Sequence, residues 1–162
     1  MTHTPTPAPR PPRLYLDNNA ISGFFDPEWQ EAVRELWRLM QSGRVQFVTS
    51  VVTAQEIAAS KRVNVREHFD ANFAPGDLLP VTPEAEELAD FYISERVLTA
   101  SHRNDALHVA VCTVNEIEWL ISGNFRHLAR PIRSEKFNRA NHLKGYKQVS
   151  ILPPDEYLEK MV

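Results

Sequence analysis

Short apolar runs alternate with longer amphipathic stretches along most of the chain, as expected of a protein that forms strands and helices in turn. Strands are predicted at residues 13–16, 45–48, 78–81, 117–121 and 148–152. Helices are predicted at residues 27–41, from Thr49 or Ser50 to about 60, at 63–73, from Pro83 onward, at 105–115 and near 134–143. Strands that alternate with helices form βαβ units. We therefore predict an α/β fold of three layers, α/β/α, with a central and mostly parallel sheet.

Length and proline content divide the chain into a tail and a body. The 162 residues suit a single domain with its own core. Five of the first twelve residues are proline, which excludes a regular helix or a strand ladder there. We predict a disordered or extended tail over residues 1–12 and one domain over residues 13–162.

Cysteine use and hydropathy narrow the class of protein. Cys112 is the only cysteine, which excludes an intramolecular disulfide and a zinc site built from several cysteines. The longest apolar run, at residues 109–112, is far too short to span a membrane, and no signal peptide is recognisable. We expect a cytoplasmic protein without a membrane partner.

Basic residues are concentrated late in the chain, although the net charge is −3. Residues 124–147 contain seven basic side chains and a single acid, Glu135. The seven are Arg126, Arg130, Arg133, Lys136, Arg139, Lys144 and Lys147. Charge alone fits a docking surface for phosphates and a solvated helix face equally well.

Four polar residues occupy positions that a parallel sheet would bring together. Asp17 ends the first strand, and Asn124 follows the strand at 117–121. Glu56 lies about two turns into the helix after the second strand, and Asp105 opens the helix that precedes the strand at 117–121. Ligands of such sheets bind beyond the carboxyl ends of the strands. We therefore predict a pocket of three carboxylates and one amide.

Each acid also has an ordinary structural explanation. Asp105 opens the apolar stretch DALHVAVC and fits a first-turn acid as well as a buried functional group. Glu56 fits a glutamate that faces solvent, and Asp17 fits a turn residue after a strand. Taken together, the three acids favour a hard divalent cation that neutralises their charges. Oxygen ligands without thiols indicate Mg²⁺ or Mn²⁺, and such a site suits metal-assisted hydrolysis of a phosphodiester.

Four segments of this chain resemble the motifs of PIN-domain ribonucleases. They are residues 14–19 (LYLDNN), 50–57 (SVVTAQEI), 104–114 (NDALHVAVCTV) and 119–128 (WLISGNFRHL). Their order and spacing agree with the family over residues 13–159, and the resemblance is strongest to its VapC-type toxin branch. The resemblance implies a PIN-like fold and a Mg²⁺- or Mn²⁺-dependent endoribonuclease that acts as the toxin of a toxin–antitoxin pair. It also implies an RNA substrate, a cognate antitoxin and a homodimer.

The same resemblance suggests roles for individual residues. Asp17, Glu56 and Asp105 would hold the metal, and Asn124 would complete the catalytic group. Asn124 stands where many members have aspartate, so it brings no charge. Asn18 stands where serine or threonine is common. Gly123 replaces a bulky residue, often tryptophan, which predicts a looser pocket mouth.

Other polar residues near the motifs are candidates for substrate contact or support. Ser122 either orients a metal-bound water or simply ends the strand. Arg103 and Arg126 flank the pocket in sequence, and we predict that one of them meets a phosphate. His108 is predicted to be a core histidine bonded to a backbone carbonyl, with metal ligation as the alternative. His127 fits an RNA contact and an ordinary loop histidine equally well.

The sequence leaves one alternative function open. A catalytically weak or inactive module of the same fold, which binds RNA or protein, is compatible with the uncharged Asn124. The two functions differ in whether they need metal and the three acids.

Overall fold

A sheet of four parallel strands lies at the centre of the computed structural model, which describes residues 10–124 and 128–161. The strands in chain order are β1 (Arg13–Leu16), β2 (Gln46–Val48), β3 (Trp119–Ile121) and β4 (Ser150–Leu152). Their order across the sheet is β2-β1-β3-β4, and every neighbouring pair is parallel. The chain therefore returns to the same end of the sheet after each strand, as the predicted βαβ units require.

Helices connect the strands and cover the sheet. Those described are α1 (Asn18–Ser22), α2 (Gln30–Gln41), α3 (Val51–Ala59), α4 (Val63–Asn72), α5 (Pro83–Ser94), α6 (Arg103–Val114), α7 (Pro131–Leu143) and α8 (Pro154–Lys160). None of them is long and apolar enough to cross a bilayer.

The two faces of the sheet carry separate apolar cores. Successive side chains of a strand point to opposite faces. In β1, Tyr15 points to a core formed with α5, α6 and α7, whereas Leu14 and Leu16 point to a core formed with α1, α2, α4 and α8. This arrangement confirms the three-layer α/β/α architecture. The second core also contains aromatic side chains from the N-terminal part of the chain, among which Trp37 is buried and Trp29 is partly buried.

Side-chain caps fix the starts of two helices that position the site and its surroundings. Ser50 Oγ accepts a hydrogen bond from Val52 N at 3.2 Å at the start of α3. Thr82 Oγ1 accepts one from Ala85 N at 3.2 Å at the start of α5. Both caps confirm the sequence prediction, and each is typically worth about 1 kcal/mol.

The predicted strand at residues 78–81 is absent from the described sheet. Only an isolated parallel bridge forms there, between Ser50 and Leu79. Leu79 donates its N–H to Thr49 O and accepts from Val51 N, both at 3.0 Å. Pro80 follows directly and has no N–H with which to extend the ladder, which explains why the strand prediction was wrong.

Helix boundaries also differ from the prediction in several places. The predicted helix at 27–41 begins at Gln30, and the one near 134–143 begins three residues earlier, at Pro131. Helices α1 and α8 were not predicted. The tail prediction for residues 1–12 lies outside the described residues except for residues 10–12, which are exposed.

A side chain from α7 covers part of the outer edge of β4. Ser150 N donates to Glu118 O at 2.7 Å, so Ser150 faces β3 and the main chain of Val149 faces away from it. Asn138 Nδ2 donates to Val149 O at 3.0 Å, and Asn138 Oδ1 accepts from Val149 N at 2.9 Å. The amide of Asn138 thus takes the place that the peptide group of a fifth strand would have.

A buried polar cluster ties three helices together on one side of the sheet. The hydroxyl of Tyr92 in α5 lies 3.2 Å from Thr113 Oγ1 in α6 and also donates to Asn141 Oδ1 in α7. Asn141 Nδ2 in turn donates to Thr113 Oγ1 at 3.3 Å. Because all three side chains are buried, the bonds satisfy groups that would otherwise be costly in the core.

Candidate functional site

The three predicted acids lie near one buried histidine at the carboxyl edge of the sheet. Asp17 follows β1, Glu56 is in α3, and Asp105 is in the first turn of α6, three residues before His108. The charges of all three acids act on His108. The structure therefore brings together side chains that are up to 91 positions apart in the chain.

Asp17 is the most deeply buried of the three acids, at 2% exposure. It caps α1, where its Oδ1 accepts from Ala20 N at 2.8 Å, and it is also hydrogen-bonded by the Ser122 side chain. Burial, helped by the nearby charge of Glu56, raises the pKa of Asp17 from 3.8 to about 6. The charge of His108 and the two hydrogen bonds act in the opposite direction. Asp17 is thus a carboxylate whose ionised form is costly in this position.

Glu56 is held by His108, which is itself 1% exposed. Glu56 Oε1 lies 2.6 Å from His108 Nε2, and His108 Nδ1 lies 2.7 Å from the hydroxyl of Tyr15. Burial lowers the pKa of His108, but the hydrogen bond to Glu56 and the charges of the acids outweigh it and raise that pKa overall. The prediction of a core histidine was right, but its partners are two side chains and not a backbone carbonyl.

Asp105 is the third acid and lies at the rim. Its side chain is 18% exposed, and its Oδ2 lies 3.9 Å from His102 Nδ1. At the first turn of α6 its charge also interacts favourably with the helix dipole. Asp105 therefore occupies the first-turn position that its ordinary structural explanation requires, and its functional role stays a prediction.

Ser122 connects Asp17 with the loop that follows β3. Ser122 is fully buried, and its Oγ accepts from Asn124 N at 3.0 Å while its side chain also bonds Asp17. Asn124 is partly buried, and its carbonyl accepts from Leu128 N and Ala129 N, both at 3.1 Å. Ser122 therefore fixes the backbone of Asn124 relative to Asp17. Asn18, the first residue of α1, is partly buried beside Asp17.

Arg103, one of the two predicted arginines, does not join this group. The guanidinium of Arg103 is paired with the exposed Asp90 of α5. Arg126 and His127 lie outside the described residues, so the predictions for them stay predictions.

The basic side chains of residues 124–147 contact different parts of the protein. Arg133 Nη1 donates to Val97 O at 2.7 Å, Lys144 Nζ lies 4.4 Å from the centre of the Phe91 ring, and Lys147 pairs with Glu116 at 3.4 Å. Arg130, Lys136 and Arg139, on or beside α7, are exposed, as are Lys144 and Lys147. Five of the six basic side chains described in this stretch are therefore exposed to solvent.

Trp29 fills the space beside Gly123, so the mouth of the pocket is not loosened there as the sequence suggested. A Cβ at position 123 would lie 3.1 Å from Trp29 Nε1 and 3.4 Å from Trp29 Cδ1. The same indole approaches Gly23, where a Cβ would lie 3.0 Å from Trp29 Cβ. The bulk expected at position 123 is therefore supplied by a residue from elsewhere in the chain.

This contact predicts that Gly123→Ala destabilises the protein by about 1 kcal/mol, because overpacking displaces the indole of Trp29. Urea unfolding measures the change. Gly76→Ala is the matched control, since nothing lies within 4 Å of a Cβ at that position. Adding Trp29→Phe to Gly123→Ala is expected to recover part of the loss. Equal stability of Gly123→Ala and the wild-type protein would contradict the contact.

The acids fit a divalent cation only in part. Among residues 10–124 and 128–161, no three His, Cys, Asp or Glu side chains are arranged to hold a metal ion jointly. Glu56 is bonded to His108 instead. Mg²⁺, however, commonly binds through one or two carboxylates and keeps several waters. The oxygen donors therefore fit a hydrated Mg²⁺ or Mn²⁺ better than a fully enclosed ion.

Comparison with known proteins identifies the fold. No protein-family model and no curated protein matches this chain. FitAcB from Neisseria gonorrhoeae is similar over 87% of this chain and 97% of the matched chain, with 18% identity and a TM-score of 0.51. VapBC2 from Rickettsia felis, solved with a DNA fragment from its promoter, is similar over 87% of this chain and 98% of the matched chain, with 10% identity and a TM-score of 0.55. The protein thus has a known three-layer α/β fold.

These findings correct the assignment that the sequence motifs suggested. The structural neighbours are named as FitAB- and VapBC-type complexes and do not identify a PIN-domain ribonuclease, and no family model supports that assignment. Membership of the PIN-domain ribonucleases and of their VapC-type toxin branch is therefore not upheld. The motifs are short and rich in residues that strand ends and buried helices favour generally. Their presence therefore indicates the fold but does not establish membership of the family.

Proposed function

We propose that this protein hydrolyses phosphodiester bonds of RNA with the help of a hydrated Mg²⁺ or Mn²⁺, and that Asp17, Glu56 and Asp105 hold the ion in part through its bound waters. The observation that carries the proposal is the grouping of three acids at the carboxyl edge of a parallel sheet, one of them buried with a raised pKa. Buried carboxylates with perturbed pKa values are typical of functional sites. A bound cation would relieve the cost of ionising Asp17.

The chain's own residues would orient the reacting groups. Ser122 and the N–H of Ala20 fix the carboxylate of Asp17, and His108 fixes that of Glu56. Asn124, held through its N–H by Ser122, would orient water or substrate with its neutral amide. When bound, the metal would lower the pKa of a water and stabilise the departing oxygen.

RNA would be held by the exposed basic side chains of α7 and its preceding residue. Arg130, Lys136 and Arg139 are exposed there and belong to the stretch that follows Asn124. Contacts with phosphates bind without regard to sequence and weaken as salt is added. The same group therefore supports binding of RNA generally and no particular target.

A protein partner is the second part of the proposal. The structural neighbours belong to toxin–antitoxin complexes. We propose that this chain likewise works in such a pair, binds a cognate protein that controls it and forms a homodimer. Co-purification of a protein encoded beside it, together with the mass of the complex, tests this part.

One observation favours a second function, a binding module without catalysis. His108 already bonds Glu56 at 2.6 Å, and Asn124 brings no charge to the site. A site that is complete without metal would bind RNA or protein and not cut it. The two functions make different predictions for metal.

Measurements of RNA cleavage and metal binding distinguish the ribonuclease from the binding module. The purified protein is incubated with a mixed, structured RNA pool in Mg²⁺, Mn²⁺ or EDTA, and its melting temperature is measured with each ion. We expect cleavage that depends on metal and a higher melting temperature at millimolar metal, because a ligand of the folded state stabilises it.

Glu56→Gln tests whether these effects belong to the site, with Glu67→Gln as the matched control on an exposed position of α4. Only Glu56→Gln should lose cleavage and the metal-dependent rise in melting temperature. Absence of both effects in the wild-type protein would favour the binding module.

A further inference from the structure

We propose that His108 is the positioning residue of Glu56 and that Tyr15 holds His108 in place from the opposite side. This inference rests on the proposed function in that Glu56 is taken to act at the site. It adds two residues that contact neither metal nor RNA. Their role is to hold one carboxylate in a fixed direction.

The contacts form one continuous chain of hydrogen bonds. Tyr15 Oη lies 2.6 Å from Ser50 Oγ, 3.5 Å from Thr53 Oγ1 and 2.7 Å from His108 Nδ1. His108 Nε2 then lies 2.6 Å from Glu56 Oε1. Both ring nitrogens of His108 are therefore occupied, so the ring cannot rotate without losing both bonds.

Glu56 fixes the direction of the last bond in this series. Its carboxylate can only accept, so the N–H at His108 Nε2 donates to Glu56 Oε1. Ser50 Oγ also accepts from Val52 N as the cap of α3. The bonds of the Tyr15 hydroxyl to Ser50 Oγ and to His108 Nδ1 are compatible with either direction, because a hydroxyl both donates and accepts.

The series of hydrogen bonds is buried at the Tyr15 end and reaches solvent at the Glu56 end. Tyr15, Ser50, Thr53 and His108 are at most 1% exposed, whereas the side chain of Glu56 is 25% exposed. A glutamate at a protein surface has several rotamers of similar energy. The bond from the buried ring selects one of them, so Glu56 meets the site in a defined orientation.

The sequence places these residues on facing surfaces. Ser50, the cap of α3, and Thr53 and Glu56 within α3 are spaced by three residues along the helix. In α6, His108 is one turn after Asp105 on the same side. Tyr15 in β1, two residues before Asp17, reaches the side chains of both helices.

Tyr15→Phe tests the inference because it removes a single buried oxygen. Tyr92→Phe is the matched control, since Tyr92 is also fully buried and also bonded through its hydroxyl, but to Thr113 and Asn141. Both variants should lose a similar amount of melting temperature. Only Tyr15→Phe should disturb the ring of His108.

The first measurement is independent of metal and RNA. In the metal-free protein, proton NMR should show a slowly exchanging ring N–H of His108, assigned by its disappearance in His108→Gln. We expect this signal to remain in Tyr92→Phe and to be broadened or lost in Tyr15→Phe. An unchanged signal in Tyr15→Phe would overturn the inference, whatever the protein does with RNA.

The second measurement, of Mn²⁺ binding, tests whether these hydrogen bonds affect the proposed metal site. Supporting partners of metal ligands typically change metal affinity or activity by roughly 10- to 100-fold. We expect Tyr15→Phe to weaken Mn²⁺ binding about tenfold, and His108→Gln, whose amide nitrogen takes the place of Nε2, to retain more binding than His108→Ala. Equal Mn²⁺ binding in Tyr15→Phe and Tyr92→Phe would overturn the positioning role. If the wild-type protein binds no Mn²⁺, the proposed function fails, and the NMR signal alone then decides whether His108 is held by Tyr15.

Discussion

Asp105→Asn is expected to reduce RNA cleavage by at least roughly 100-fold while the protein stays folded. Metal-ion catalysis is worth several kcal/mol, and each 1.36 kcal/mol corresponds to a factor of ten in rate. The free energy of unfolding should fall only slightly, because Asp105 is partly exposed and its interaction with the dipole of α6 is worth about 0.3–1 kcal/mol. Cleavage rates at saturating Mn²⁺, together with circular dichroism and melting temperature, measure both effects.

Asp90→Asn is the matched control for that experiment. Asp90 is a highly exposed acid on α5 and pairs with Arg103, two residues before Asp105. The substitution removes the same charge from the same region without touching the site, so cleavage should be retained. Full activity in Asp105→Asn, or equal losses in both variants, would remove Asp105 from the proposed metal site.

Asp17→Asn is expected to stabilise the metal-free protein at pH 7–8 by up to about 3 kcal/mol. Burial raises the pKa of Asp17 from 3.8 to about 6, and a change of this size corresponds to that free energy. Asparagine is also a good helix cap, so α1 keeps its start. The gain arises because the substitution removes a charge that the folded state accommodates poorly.

The pH dependence of this gain follows from the direction of the shift. Because the folded state binds the proton more tightly than the unfolded state, wild-type stability falls as the pH rises from about 4 to about 6. By pH 4 the free energies of unfolding of the wild-type protein and Asp17→Asn should be similar, and at still lower pH Asp17 becomes protonated in both states. Above pH 6 the difference should be constant as far as Asp17 is concerned.

Denaturant unfolding in EDTA between pH 4 and pH 8 measures this difference. Asp155→Asn, an exposed first-turn acid of α8, is the control and should change stability by less than about 0.5 kcal/mol. A difference for Asp17→Asn that does not vary with pH would contradict the raised pKa. The same variant should fail to cleave RNA, so that stability and activity change in opposite directions.

Much of the fold could be predicted from local signals in the sequence. Strand β1 matches its prediction, and the capping residues Ser50 and Thr82 were found because each directly precedes its helix. Helix α1 was missed because five residues that begin with two asparagines show no helical period. The strand at 78–81 was overpredicted because its apolar residues pair through a single bridge at Leu79.

The site could be predicted only as a set of candidates. Chain order and parallel topology sufficed to bring Asp17, Glu56 and Asp105 to one edge of the sheet. The partners of His108 could not be predicted, since Tyr15 and Glu56 are 93 and 52 residues away from it. Contacts over such separations depend on how β1 and α3 pack against α6, which no local pattern specifies.

The amide of Asn138 also bears on how the protein behaves at high concentration. Strand edges are where other chains add main-chain hydrogen bonds, as in domain-swapped dimers and amyloid. An incoming strand at β4 would first have to break both bonds between Asn138 and Val149. At the opposite side of the sheet, the main chain of Leu79 forms hydrogen bonds with Thr49 O and Val51 N, so these two groups are likewise already bonded. At each outer strand of the sheet, a group of the folded chain itself thus occupies main-chain hydrogen bonds next to the strand, and these would have to break before another chain could pair there.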